Sequence, residues 1–315
     1  MLTGIDHVII GVKDLERASA LFTEQLGLTV SGGGRHPAAG TANRIIVIGD
    51  TYLELITVIA PDEAQPSMLE RLAKGEGYWN FALASDAIEA DCQQMRARGV
   101  PVLGPTRGEL RAADGRSRSW LRADIERPDL AQRYPFLIQH DSSGEERRFR
   151  LAGWQQPPRH PLGAVRVSSV TIAVADLEEG RRRFSHIYGL EASPPYTGEA
   201  DHWEALLVAF PLGNGSQSFE LAAPLPLASA ENSPVDPLLG LSQFLPEPAS
   251  LTHFLQTVGE NLCRMTLEVT DLQAARRYLD QHGVTSMLQE QPQPALWIHP
   301  DFTCGAAIVL HQLSE

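Results

Sequence analysis

His7, His36 and Glu54 stand close together near the start of the chain and are of the types that hold metal ions or move protons. Imidazole nitrogen and carboxylate oxygen together suit zinc, iron, manganese or nickel, and nothing in the sequence chooses among them. His36 sits among glycines and before Pro37, the setting of an exposed loop free to approach a ligand. Its ordinary pKa near neutrality suits a general acid or base, with Thr41, Asn43 and Arg44 as polar partners. Trp79 and Trp120 could line a cavity and stack on a planar substrate, or could equally belong to the core. A histidine early in a strand is also often structural, bonded to backbone or water.

Several chemistries are excluded. No Gly-x-Ser-x-Gly elbow and no GxxxxGK[ST] loop is present, which argues against a hydrolase triad and a nucleotide cradle. Cys92, Cys263 and Cys304 have no zinc or redox spacing and read as buried thiols of a reducing cytosol. Against 39 acidic residues stand 26 basic ones, a net charge of -13 with no basic stripe, so nucleic acid is not an expected partner. The pairs Glu145-Glu146 and Arg147-Arg148 are expected on solvated surface. With neither a signal peptide nor an apolar run of the roughly 20 residues that cross a bilayer, a cytoplasmic monomer or homodimer with no membrane partner is expected.

The elements that position these residues repeat. Asp14, Asp86 and Asp176 each precede a glycine by thirteen residues (Gly27, Gly99, Gly189), and Asp271 precedes Gly283 by twelve. Each aspartate follows a β-rich run and opens a stretch with apolar residues at helical spacing, so it is expected to cap a helix that the glycine ends in a left-handed turn. Further strand-like runs follow, among them 43–48, 52–58, 203–210 and 218–222. Helical lead-ins at 68–74 and 251–256 precede the even-numbered units, and a proline-rich insert, 224–250, is expected to be a surface loop.

Units of this kind, with a histidine before Val12-Lys13-Asp14-Leu15 and a glutamate on the last strand, resemble the vicinal oxygen chelate superfamily of glyoxalase, bleomycin-resistance and extradiol dioxygenase proteins. The run from Gly32 to Arg44, continued by Gly49-Asp50-Thr51-Tyr52-Leu53-Glu54-Leu55-Ile56, is similar to a bacterial glyoxalase-like family. Tyr134 to Gln139 and His160-Pro161-Leu162-Gly163 resemble its later motifs. The resemblance spans most of the chain and is strongest in the first half. It implies an α+β fold of four β-α-β-β-β modules paired into two glyoxalase-like domains, residues 1–145 and 164–315, joined by a linker at 146–163.

It also implies that paired units curl their sheets into a cup, where the first and last strands of each unit can present ligands to a divalent metal ion. Val8, Ile10 and Val12 form one apolar face for the helix and leave His7 on the other, and Leu53 and Leu55 do the same for Glu54. The family's metal ligands therefore carry over onto His7 and Glu54. Counting seven residues back from each aspartate gives His7, Trp79, Ser169 and Arg264, and the last-strand positions are Glu54, Gln139, Glu220 and about Val309. Gln139 is expected as a weak third ligand or substrate contact. His36 or His140 could complete the set, although alternation places His140 on the helix side. Glu220 stands alone in the second domain. The expected function is a metal-dependent enzyme of lyase, isomerase or dioxygenase type acting on a small oxygenated metabolite; the alternative is a metal-free protein that binds or sequesters a small molecule.

Overall fold

The computed structural model describes residues 1–313 except 37–38, 113, 127–133, 201–202, 226–250 and 291–292. Most of the proline-rich insert, and His202, therefore lie outside the described residues. The first half runs β1 (Leu2–Gly11), α1 (Leu15–Ala20, continued by a π-helical turn to Gln25), β2 (Ser31–His36), β3 (Thr41–Ile48) and β4 (Thr51–Val58). It continues through α2 (Pro66–Lys74), β5 (Gly77–Ser85), α3 (Ile88–Ala97), β6 (Val102–Arg111), β7 (Ser117–Ile125), β8 (Phe136–His140) and α4 (Gly144–Ala152). The second half repeats the plan with β9 (Ala164–Ala173), α5 (Leu177–Tyr188), β10 (Tyr196–Ala200), β11 (Trp203–Leu212) and β12 (Gln217–Pro224). After these come α6 (Leu251–Thr257), β13 (Leu262–Val269), α7 (Leu272–Gln281), β14 (Ser286–Gln289), β15 (Ala295–Ile298) and β16 (Ile308–Gln312). The result is an α+β fold of two curled, mixed, eight-stranded sheets in the orders β2-β3-β4-β1-β5-β8-β7-β6 and β10-β11-β12-β9-β13-β16-β15-β14.

Three of the four aspartates cap as expected: Asp14 accepts from Glu16 N and Arg17 N, Asp176 from Glu179 N, and Asp271 from Ala274 N. All four glycines are left-handed, with φ between 63° at Gly27 and 84° at Gly99. Asp86 departs from the pattern. Ala87 holds the N-cap position of α3, and Asp86 is drawn instead to the chain's own ammonium group at Met1. The first free amide of α3, Ile88 N, donates to the Gln139 side chain at 2.8 Å. Gln312 does the same for Leu272 N at the start of α7, at 2.9 Å. The second unit is thus shifted by one residue, and seven positions before its true cap lies Asn80 rather than Trp79.

Helices α1, α3, α5 and α7 lie on one face of each sheet, and those two faces share a core. A single apolar cluster runs from Val8, Ile10 and Phe22 through Phe81 and Met95 to Phe184, Phe219, Met265 and Leu279. Phe81 of the first sheet meets Phe219 of the second with ring centroids 6.3 Å apart. Each fully buried side chain of this size contributes about 1.5–3 kcal/mol, so the halves support one another through the core. Polar ties add direction: Tyr78 Oη donates to the Ala307 carbonyl and Tyr188 Oη to that of Pro135. Among the described residues no helix is long and apolar enough to cross a membrane.

The residues expected to start the linker are helical. α4 places Leu151 and Ala152 against Ile45, Val47 and Tyr52, on the face of the first sheet that carries no capping helix. One side of the first cup is therefore covered from within its own half.

Candidate functional site

Register decides which residues meet in the first cup. β1 and β4 pair in parallel with Ile9 opposite Glu54 and His7 opposite Tyr52, and β3 pairs Ile45 with Glu54. His7, Glu54 and Asn43 thus share a face. A bulge in the β1–β5 pairing between Ile5 and His7 turns Asp6 toward its neighbour, in the way bulges re-aim side chains. Asp6 Oδ1 lies 2.7 Å from His7 Nδ1, and the imidazole stacks on Tyr52 at 4.6 Å.

The buried Asp6 carboxylate is held by cations. Burial pushes it up, but the Arg147 guanidinium, with His140 and His7, outweighs burial and keeps it well below the usual carboxylate range. Arg147 donates to Asp6 Oδ2 at 2.6 Å, and His140 Nε2 lies 3.3 Å from Oδ1. Arg147, expected on the solvated surface, is therefore part of this buried network because the start of α4 carries it inward. An ionised Asp6 accepts the Nδ1 proton of His7 and leaves His7 Nε2 as the atom that faces the cup. Such an acid–imidazole pair fixes the tautomer and orientation of the ring.

His7 Nε2 lies 3.6 Å from Glu54 Oε2, and Glu54 Oε1 lies 3.6 Å from His36 Nε2. The glycine-rich run is not a loop. It is edge strand β2, whose bulge between Ser31 and Gly34 brings His36 at its end opposite Thr41. Gly33 makes this possible: its φ is 92°, and a Cβ there would meet the Asn43 carbonyl oxygen at 2.1 Å. Asn43 Oδ1 accepts from Gly34 N at 2.9 Å, and its amide donates to Glu54 Oε1 at 2.5 Å and approaches His36 Nε2 at 3.2 Å. Thr41 Oγ1 lies 2.9 Å from His36 Nδ1. Burial pushes the His36 imidazole down despite the opposing pull of Glu54, so it is neutral near pH 7. Burial alone would raise Glu54, but His36, His7, the Asn43 amide and Arg118 outweigh it and hold it below its ordinary value.

Two expected residues point elsewhere. Gln139 caps α3 as described, because Leu137 and Gln139 face the helices while Phe136, Ile138 and His140 face the cup. Gln139 and His140 thus stand in each other's expected places, a consequence of the one-residue shift. Arg44 faces outward and pairs with Glu16 of α1 at 2.7 Å. Replacing Gln139 with alanine is expected to cost about 1 kcal/mol in a urea denaturation midpoint, as loss of a helix cap does, and to leave divalent-ion binding unchanged.

Trp120 lies beside His140 and packs with Ile9, Ala82, Phe136 and Ile138 as an apolar wall of the cup. Trp79 lies over Gly11, where a Cβ would meet its Nε1 at 1.9 Å. Asp6, Arg147 and Arg118 were not marked by the sequence pattern, although an acid directly before the strand histidine was a signal available for Asp6. In the second cup Glu220 accepts from Thr171 Oγ1 and Arg264 Nη2, both at 2.7 Å, and from Tyr196 Oη at 3.1 Å. A guanidinium there faces the glutamate where the first cup has an imidazole. A further cavity of about 1000 Å³ opens between the halves, lined by residues that include Asp6, His140, Arg147 and Gln217.

A family model described as a glyoxalase-like domain matches residues 5–188, well over half of the chain. The chain belongs to that family. Human mitochondrial methylmalonyl-CoA epimerase is 27% identical to this glyoxalase-like chain over 99 residues, which are 31% of the chain and 56% of the epimerase. The chain thus spans about half the length of the curated relatives it matches. A mutant of 4-hydroxymandelate synthase from Streptomyces coelicolor has the same fold with a TM-score of 0.60 at 14% identity, covering 99% of this chain and 93% of its own. An Mn(II)-bound glyoxalase from Novosphingobium aromaticivorans follows with a TM-score of 0.57 at 13% identity, covering 99% and 82%. At such identities the likeness speaks for the fold. Membership of the glyoxalase-like family bears out the resemblance to the vicinal oxygen chelate superfamily read from the sequence.

Proposed function

We propose that the chain is a metal-dependent enzyme acting on a small oxygenated metabolite in the first cup, with His7, Glu54 and His36 holding one divalent ion. The observation that carries this reading is the convergence of two imidazole nitrogens on one buried carboxylate. With Nδ1 of His7 bound to Asp6, its Nε2 faces one oxygen of Glu54, while His36 Nε2 faces the other. Three side chains so placed in a buried site call for a cation, and two imidazoles with one carboxylate are a donor set suited to manganese, iron, zinc or nickel. The bound ion would supply Lewis acidity to neighbouring substrate oxygens. Asp6 orients His7, Thr41 and Asn43 orient His36, and α4 keeps water from one side of the cup. Trp120, Phe136 and Ile9 offer an apolar wall for the body of the substrate. The Mn(II)-bound glyoxalase of the same fold supports a divalent ion as the class of cofactor.

A second reading, a metal-free binding protein, has one observation on its side. Among the described residues no three His, Cys, Asp or Glu side chains form a ready-made metal cluster, and Asn43 already donates to Glu54. Metal analysis of chain purified without chelator, followed by Mn(II) titration, separates the two. The enzyme reading expects one ion per chain, since Arg264 already neutralises Glu220 in the second cup. A chain that carries no metal and takes up none would overturn it in favour of the binding protein.

A further inference from the structure

We propose that Arg118 is the anion-recognition group of the first cup and that the small molecule bound there carries a carboxylate. This rests on reading that cup as the functional site, but it does not require the metal ion. Arg118, Trp120 and Arg122 occupy alternate positions of β7 and so share the cup face. Arg118 is 5% exposed, yet among the described residues its one hydrogen bond goes to the Leu151 carbonyl at 3.3 Å.

The other deeply placed arginines hold carboxylates: Arg147 holds Asp6, Arg264 holds Glu220 and Arg183 holds Glu260. Arg118 has no such partner within ion-pair distance among the described residues, although its charge acts on Glu54, His36 and Tyr52. A single neutral carbonyl is poor compensation for a buried guanidinium, which presents five donors in a planar fork matched to a carboxylate. Its unused nitrogens are not sealed in protein, unlike Nε of Arg147, Arg166 and Arg183. They reach accessible space. Two positions along the strand stands Trp120 in its cluster with Ile9, Ala82, Phe136 and Ile138, a surface for an apolar or planar body. Fork and wall together describe a small aromatic or branched apolar carboxylate.

Benzoate and its neutral counterpart benzamide test this by calorimetric titration into the full chain, first stripped with chelator and then supplied with Mn(II). The wild type should bind benzoate at least about tenfold more tightly than benzamide, the advantage of a charged fork over a neutral contact. Arg118→Gln should lose that preference while still binding benzamide, which excludes a collapsed cup as the cause. Equal affinities in the wild type, no benzoate binding, or an undiminished preference in Arg118→Gln would overturn the proposal. Should Arg118→Gln fail to give a cooperative melting curve, Arg118→Lys decides: its preference must fall about threefold or more, because lysine keeps the charge and loses the fork. A preference unchanged in the lysine variant overturns it. If Mn(II) never binds while benzoate recognition still depends on Arg118, the metal reading fails alone. If Mn(II) binds and Arg118→Gln is indifferent, the carboxylate proposal fails alone.

Discussion

Replacing Glu54 with glutamine is expected to weaken Mn(II) binding about a hundredfold or more while the chain keeps its fold. Loss of an outer-shell partner alone costs metal sites 10–100-fold, and Glu54 would be a ligand with one oxygen toward each imidazole. The fold should tolerate the change for a local reason. Glutamine has nearly the same shape, and its amide can donate to His7 Nε2 or His36 Nε2, where the carboxylate could only oppose their lone pairs. Calorimetric titration with a melting curve on the same sample checks both halves. A Glu54→Gln chain that binds Mn(II) like the wild type would remove Glu54 from the ligand set.

The largest effect on stability is expected at Asp6. Its carboxylate is buried with Arg147 at 2.6 Å, their side chains being 3% and 14% exposed, and it also serves His7 and His140. Asp6→Asn leaves the Arg147 charge without its partner, and breaking a buried pair in this way costs about 3–5 kcal/mol. Metal affinity should fall roughly 10–100-fold in the same variant, because the His7 ring loses the acceptor that fixes its tautomer. Acid adds an independent check. Since Asp6 titrates well below the usual carboxylate range in the fold, its contribution is complete above the unfolded value near 4 and is lost as pH falls from there through the folded pKa. Urea midpoints of the wild type should therefore drop more steeply below about pH 4 than those of Asp6→Asn. Parallel profiles would mean that the pair contributes little.

The repeat made much of this fold legible. In strands β1, β4, β9 and β12 alternate residues pack on the helices (Val8 and Ile10, Leu53 and Leu55, Val170 and Ile172, Phe219 and Leu221), and Asp14, Asp176 and Asp271 cap where their spacing requires. Strands β2, β6, β10 and β14 did not announce themselves. They are sheet edges, where exposure removes the apolar alternation, and in β2 glycines replace it. The second unit misled for a related reason: Asp86 has the right spacing but is held by Met1, while the acceptor for Ile88 N comes from Gln139, 51 residues beyond Ile88. That one-residue error exchanged Gln139 with His140 and Trp79 with Asn80. His7 and Glu54 could be paired from alternation together with the family resemblance. Asp6 needed a bulge, and Arg147 and Arg118 needed the placement of α4, which no local period encodes.

X-ray absorption at the metal edge of the Mn(II)- or Zn(II)-loaded chain tests the central claim most directly, because it counts imidazoles in the first coordination sphere. Two are expected, with His7→Gln and His36→Gln each reducing the count to one. Loaded metal with no imidazole, or a count unchanged in both variants, would contradict it.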